Sequence, residues 1–173
     1  MTKETTNVQN IRKFLHSLPP DVVSIRPGLP IEEYTDDIIP FELYRNTRDN
    51  IEKITDQINK SFYFGIYDGA SILMRRLVEM LLILSFKEIG EENNIKNTDG
   101  DYFQLSKIIT EAIANKKLDL SRNAKTYLNI FKEKGDLSAH NPFHISFKRD
   151  LELLQLKYRH LIQELLYKAN ILK

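Results

Sequence analysis

The chain has 173 residues, of which 42% are hydrophobic and 28% are charged, and its formal net charge is +1. That length is ample for one domain with a real core, and the composition is ordinary for a soluble globular protein. The absence of cysteine excludes a disulfide framework, a thiolate nucleophile and a cysteine-based zinc site. With no apolar signal-peptide core and no run long enough to span a bilayer, we expect a cytoplasmic protein without membrane contact.

The charge is unevenly distributed along the chain. Residues 1–114 hold 13 Lys or Arg and 18 Asp or Glu, whereas residues 115–173 hold 12 and 6. The C-terminal third can therefore present a modestly basic face, although an ordinary solvated surface explains the same count.

The N-terminal part is predicted to be a short helix followed by a strap. Residues 7–18 place their apolar side chains on one side of a helix, which Pro19–Pro20 end. Residues 19–40 hold five of the six prolines, which predicts an extended loop packed across the core or used in a dimer contact. We assign residues 1–43 to this extension and residues 44–173 to a helical bundle.

The bundle is predicted to be built around the helix at residues 67–86, which is apolar on nearly every side. It is preceded by a helix at 44–63 with apolar residues spaced three and four apart. Asp68, Arg75 and Glu79 share one stripe of the central helix. The stripe indicates either an internal Arg–Glu pair or one wall of a polar site, because charges on a central helix are costly to bury unpaired.

Three helices are predicted downstream, at residues 102–114, 121–134 and 148–171. Ser121 is a predicted N-cap, Gly135 is predicted to end its helix, and Asp136 is predicted to cap a short new turn. The fold class is therefore all-α. We expect an antiparallel bundle of about four core helices, with the N-terminal helix and the proline-rich strap added to it.

Two motifs together resemble the HEPN superfamily. One is the Arg75–Arg76–x–x–Glu79 patch on the central helix. The other is the run from Lys134 to His140, KGDLSAH, which resembles a signature of a basic residue, Gly, Asn or Asp, any residue, a small residue, Ala and His. The match is nearest to uncharacterised bacterial HEPN-like domains and covers roughly residues 45–170.

The resemblance implies a helical bundle that forms a homodimer. Many HEPN domains are metal-independent endoribonucleases of phage-defence or toxin–antitoxin systems, and they pair an Arg with a His at the dimer interface. Here His140 matches the His and Lys134 occupies the Arg position. Lysine departs from the pattern because it is a mobile point charge without the fork of a guanidinium, and Asp136 stands where relatives often have Asn.

The chemistry implied by the resemblance needs no cofactor and no metal, because RNA carries its own nucleophile, the 2′-hydroxyl. A histidine would be the acid or base and cations would stabilise the phosphate, leaving a 2′,3′-cyclic phosphate end. The candidate catalytic residues are His140, Lys134 and Asn141, with Asn141 orienting the histidine or the scissile group. The candidate phosphate-binding or supporting residues are Arg75, Arg76, Glu79, Lys132 and Asp136.

Alternatives remain open for the function. The chain can be a catalytically silent HEPN module that binds RNA, a nucleotide or a protein partner such as a cognate antitoxin, or a purely structural dimerisation module. In the last case His140 is simply a histidine at a helix end. A metal clasp of His140 and His144 is disfavoured, because Pro142 lies between them and no carboxylate motif accompanies them.

Overall fold

A computed structural model describes residues 37–173, and this part of the chain is all-α. Its seven α-helices are α1 (Phe41–Tyr44), α2 (Asp49–Tyr63), α3 (Tyr67–Glu88), α4 (Leu105–Ala114), α5 (Arg122–His140), α6 (Lys148–Glu152) and α7 (Gln155–Lys168). Between α3 and α4 lie a 3₁₀ turn, Glu92–Ile95, and an antiparallel bridge that joins Lys96 to Tyr102. The predicted helix at residues 7–18 and most of the proline-rich strap lie outside the described residues.

Helix α3 is the centre of the bundle, as its apolar sequence predicts. It packs against α2, α4, α5 and α7. Nine of its residues are buried, from Ala70 near its start to Phe86 near its end. A helix packed between several others needs apolar side chains around most of its circumference, which explains why its sequence lacks a clean polar face.

The core also joins α7 to α3 and α5 through Tyr158. Its hydroxyl donates to the backbone carbonyl of Met74 at 2.9 Å, and its ring lies 4.7 Å from that of Phe131. Burial raises the pKa of Tyr158 well above its usual value. The buried hydroxyl therefore stays protonated and acts as a donor. Its hydrogen bond to Met74 fixes the position of α7 along the axis of α3.

The predicted helix at 44–63 is divided in two. Helix α1 ends at Tyr44 and α2 begins at Asp49, so the predicted start was wrong. Asn46, between them, has a φ of +59°, a left-handed conformation that asparagine adopts more readily than most residues. The predicted apolar face of α2 is confirmed, because Ile51, Ile58 and their neighbours at helical spacing are buried.

Helix α5 begins as predicted, with the Ser121 hydroxyl accepting from the Ala124 N–H at 3.1 Å. Its predicted end at Gly135 was wrong, because the helix continues to His140. Asp136 consequently lies inside the helix and caps no new turn. Glycine inside a helix costs about 1 kcal/mol relative to alanine, and this cost does not end a helix that tertiary contacts hold together.

The predicted continuous helix at 148–171 was also wrong. A break at Leu153 and Leu154 separates α6 from α7, and α7 ends at Lys168. Leu153 was predicted to widen the buried seam, but it is exposed. At about 100° per residue Leu153 lies on the opposite side of a helix from Ile162, nine residues later, so its inclusion in the seam was wrong even for a continuous helix.

The end of the strap is tied to the bundle. Ile38 and Ile39 are fully buried, and Asn59 exchanges two hydrogen bonds with the backbone of Ile39, at 3.1 and 2.8 Å. The Ile38 carbonyl accepts from Arg159 at 2.9 Å. Residues 37–43 belong to the same compact unit as the helices that follow them. Within residues 37–173, no helix has both the length and the apolar character needed to cross a bilayer.

Candidate functional site

An open cleft of about 1200 Å³ lies between α4 and α5, with one turn of α3 contributing to its wall. Six residues proposed from the sequence line it: Arg75, Glu79, Lys132, Asp136, His140 and Asn141. The remaining polar lining comes largely from Gln104, the residue before α4, from Ser106 and Thr110 on α4, and from Asn129 and Glu133 on α5. The two motifs that were predicted from distant parts of the sequence therefore meet in one place.

Asp136 is the residue that joins these motifs. Its Oδ1 accepts from Arg75 Nε at 2.6 Å, and its Oδ2 accepts from Lys132 Nζ at 2.6 Å. Burial acts to raise the pKa of Asp136, but the hydrogen bonds and charges of Lys132 and Arg75 outweigh it and hold the pKa below its usual value. The carboxylate is therefore ionised at neutral pH and engages both cations.

Glycine at position 135 makes this ion pair possible. A Cβ on Gly135 would stand 2.8 Å from Cδ of Arg75 and closer still to its Cβ, which real side chains do not tolerate. The stem of Arg75 thus crosses α5 where α5 has no side chain. Gly135 is a point of close helix approach, and this is the physical reason for a glycine inside a regular helix.

The charged stripe on α3 includes an Arg–Glu pair and also forms part of the wall of the polar cleft. Arg75 Nη1 lies 3.5 Å from Glu79 Oε2, so an Arg–Glu pair exists, and both residues also line the cleft. Asp68, the third member of the stripe, is not part of the cleft lining. Its Oδ1 accepts instead from the Ser146 N–H at 3.1 Å, at the other end of the stripe.

Lys134 and Arg76 are not brought to the cleft. Lys134 Nζ lies 3.3 Å from Asp150 Oδ2, on the side of α5 that faces α6. Arg76 is exposed and lies outside the cleft lining. The roles predicted for Lys134 and Arg76 stay predictions, and the cation that shares the cleft with His140 on α5 is Lys132.

His140 is the last residue of α5, and its side chain is exposed at the end of the cleft. In the part of the chain that the structure describes, its imidazole has no hydrogen bond or ion pair. The neighbouring Asn141 uses Oδ1 to accept from the Phe143 N–H at 3.0 Å, which shapes the turn after the helix. The predicted role of Asn141 in orienting His140 is untested.

The cleft carries nearly balanced charge. Two cations, Arg75 and Lys132, face three carboxylates, which belong to Glu79, Asp136 and Glu133. Its walls are otherwise rich in amides and hydroxyls. Such a lining suits a polar ligand that offers both donors and acceptors.

The contribution of α4 to the cleft was missed from the sequence. The signal was present in Ser106 and Thr110, which are four residues apart on the exposed side of an otherwise apolar helix.

Across residues 37–173, no group of three or more His, Asp or Glu side chains has the arrangement of a metal site.

The comparisons with known proteins add no relative. No protein-family model matches the chain, no curated protein matches it, and no solved structure matches its fold. The resemblance to the HEPN superfamily therefore rests on the Arg75–Glu79 patch and the Lys134–His140 run, and it stays a prediction.

Proposed function

We propose that this chain is a HEPN-like domain that binds RNA along α5 and in the cleft between α4 and α5. The observation that carries the proposal is a stripe on one face of α5. Its members recur at intervals of three and four residues, which places them on one side of the helix. They are Arg122, Lys125, Asn129, Lys132, Asp136 and His140.

The stripe has the chemistry that a nucleic-acid backbone requires. Three cations and an amide are spread along one side of a 19-residue helix, which is about 28 Å long at 1.5 Å per residue. Lysine and arginine that neutralise phosphates supply most of the sequence-independent affinity for nucleic acids. The polar walls beyond Lys132 then offer hydrogen-bonding groups to a base or a ribose of an unpaired strand.

The two cations of the cleft are already engaged, and so is Lys134, which lies outside the cleft. Asp136 accepts from both Arg75 and Lys132, and Lys134 is paired with Asp150. During cleavage the 2′-hydroxyl loses its proton and negative charge builds up on the phosphate oxygens, so catalysis needs cations that are free to stabilise that charge. This arrangement supports a module that binds RNA without rapid cleavage.

A second candidate is the metal-independent endoribonuclease, and the state of His140 favours it. The imidazole is exposed on the cleft wall without a partner among the described residues, so it is free to exchange a proton with a 2′-hydroxyl or a leaving oxygen. The product would carry a 2′,3′-cyclic phosphate. A bacterial defence or toxin–antitoxin setting and a cognate antitoxin remain expectations from the resemblance.

Binding is tested by fluorescence anisotropy with a labelled mixed-sequence single-stranded RNA in EDTA, over a series of salt concentrations. We expect Lys132→Ala to weaken binding and Asp136→Asn to strengthen it, because the amide releases Arg75 and Lys132. A Lys157→Ala variant, at an exposed position of α7, is the matched control and should bind as the wild type does. RNA affinity that is absent in the wild type, or unchanged by both cleft variants, would refute the proposal.

Cleavage is tested separately with an RNA pool in EDTA, using wild type and His140→Ala purified in parallel and shown to be folded. Cyclic-phosphate ends that appear only with the wild type would establish the nuclease. Binding without cleavage by either protein would establish the silent module. Equal cleavage by both would mean that His140 is not the reacting residue or that a contaminant is present, and a second purification route distinguishes these two causes.

A further inference from the structure

The polar side chains that line the cleft differ in how far they are already engaged. Arg75 and Asp136 are the centre of a network of ion pairs that also includes Glu79 and Lys132. Within residues 37–173, a second set of cleft side chains makes no hydrogen bond or ion pair, and its members are Gln104, Ser106, Asn129, Glu133 and His140. A ligand can therefore bind this second set without breaking contacts inside the protein.

Glu133 is the member of this set that says most about the ligand. Of the three carboxylates that line the cleft in the described part of the chain, it alone has no cation beside it. Its side chain is exposed, so both of its oxygens are available. A carboxylate repels a phosphate, and it only accepts hydrogen bonds. The ligand group that contacts Glu133 is therefore a donor and not the phosphate of an RNA backbone.

Glu133 belongs to a row of three side chains on α5. Asn129, Glu133 and Leu137 follow one another at intervals of four residues, and all three line the cleft. Neighbouring members of such a row lie about 5–6 Å apart on one side of a helix. The row offers an amide, a carboxylate and an apolar side chain, since Leu137 is 37% exposed. This combination suits a flat ring that has an apolar face and a polar edge.

The row lies beside the residues that are proposed to bind the RNA backbone. Lys132, Asp136 and His140 form a separate row, again at intervals of four residues, on the same helix. Lys132 and Glu133 are consecutive, so a phosphate at Lys132 and a base at Glu133 can belong to the same stretch of strand. The two rows thus divide the work of backbone contact and base contact between them.

We propose that the cleft selects an unpaired guanine and that Glu133 recognises it, an inference that rests on the RNA-binding function proposed above. On its Watson–Crick edge, guanine alone among the four RNA bases presents two neighbouring donors, the N1–H and the 2-amino group. The two oxygens of one carboxylate can accept from both. Adenine and cytosine place an acceptor nitrogen beside their amino group, and uracil has one N–H between two carbonyls, so each sets an acceptor against a carboxylate oxygen.

The neighbours of Glu133 complete the proposed contact. The amide of Asn129, one turn earlier, can donate to the guanine O6, which is next to N1–H on the same edge. The ring can pack on Leu137, one turn later. An arginine of a protein partner offers a similar pair of donors, but the cations Lys125 and Lys132 on the same helix favour a ligand that carries phosphates over a cationic peptide.

The test is fluorescence anisotropy of the full chain in EDTA with labelled oligouridine strands that differ at one central position. That position holds uracil, guanine, adenine, cytosine or hypoxanthine. We expect the guanine strand to bind at least about tenfold more tightly than the all-uridine strand, because two hydrogen bonds to a charged acceptor are gained. Hypoxanthine keeps N1–H but lacks the 2-amino group, so its strand should have an affinity between these two.

Two cleft variants separate base recognition from backbone binding. Glu133→Gln should lose the preference for guanine, because its amide sets donors against a donor of the base, and it should bind the all-uridine strand more tightly, because a negative charge is removed. Lys132→Ala should weaken binding of both strands and keep their ratio. The matched control is Glu42→Gln, at an exposed position of α1 outside the cleft lining, which should keep the wild-type ratio. Circular dichroism verifies that the variants are folded.

The outcomes distinguish this inference from the proposed function. A wild type that binds RNA without preferring guanine would overturn the inference and leave RNA binding in place. A preference that survives Glu133→Gln, or a Glu133→Gln variant that weakens both strands alike, would also overturn it. A wild type that binds none of the strands would refute the proposed function itself.

Discussion

The side chain of Arg75 on α3 passes over Gly135 on α5, and its guanidinium then bonds Asp136, the next residue of α5, at 2.6 Å. A single missing side chain thus allows a cation from the central helix to reach the cleft. The same contact connects the two sequence motifs of the candidate site. Packing and site chemistry are coupled at this point of the bundle.

Gly135→Ala should destabilise the fold, although helix propensity alone favours alanine by about 1 kcal/mol. The new Cβ would overlap the stem of Arg75, and overpacking of this kind costs about 1–3 kcal/mol. Urea unfolding followed by circular dichroism measures the change. Glu133→Ala, at an exposed position of the same helix, is the control. A more stable Gly135→Ala variant would show that α3 and α5 separate without cost.

Asp136→Asn should lower the free energy of unfolding by about 1–2 kcal/mol at pH 7, because two charge-assisted hydrogen bonds are weakened. The pKa of Asp136 is lower in the folded state than in the unfolded state. Its contribution is therefore complete above the unfolded pKa of about 3.9 and is lost as the pH falls through the folded pKa.

The pH dependence is measured by urea unfolding of both proteins at pH 7 and in steps below pH 4. The difference in free energy between wild type and Asp136→Asn should narrow at acid pH. A difference that is the same at every pH would mean that the ionised carboxylate is not the stabilising species.

Lys132 and Lys134 should differ in their effect on RNA binding, although they are two residues apart. Lys132 lines the cleft, whereas Lys134 is paired with Asp150 on another side of α5. We expect Lys132→Ala to weaken binding about threefold to tenfold. The slope of the logarithm of the binding constant against the logarithm of the salt concentration should become shallower by about one. Lys134→Ala should leave affinity and salt slope unchanged. The reverse result would restore the sequence-based assignment of Lys134.

Asn59→Ala should lower the free energy of unfolding by about 1–3 kcal/mol, since the backbone N–H and carbonyl of buried Ile39 would lose their partner. Calorimetric or urea unfolding measures the change. The control is Asn123→Ala, because Asn123 is exposed near the start of α5. An equal effect of both substitutions would mean that the attachment of residues 37–39 contributes little to stability.

The sequence by itself determined the all-α class, the central position of α3 and the apolar faces of α2, α4 and α5. These follow from side-chain periodicity, because the spacing of buried residues along a helix reflects the direction of its neighbours. The sequence also brought together Arg75, Glu79, Lys132, Asp136 and His140 as candidates before any contact among them was known. Glycine and proline residues predict the ends of helices less well, because their local conformational preferences compete with tertiary packing.

Only the tertiary structure decided that α5 continues through Gly135. Whether a glycine ends a helix or accommodates a neighbour depends on what packs against it, here the stem of Arg75. Once the helix continues, Lys132, Asp136 and His140 follow at intervals of four on one side, and Lys134 turns away from them. Which cation shares the cleft with His140 is therefore a consequence of helix–helix contact, which no local pattern encodes.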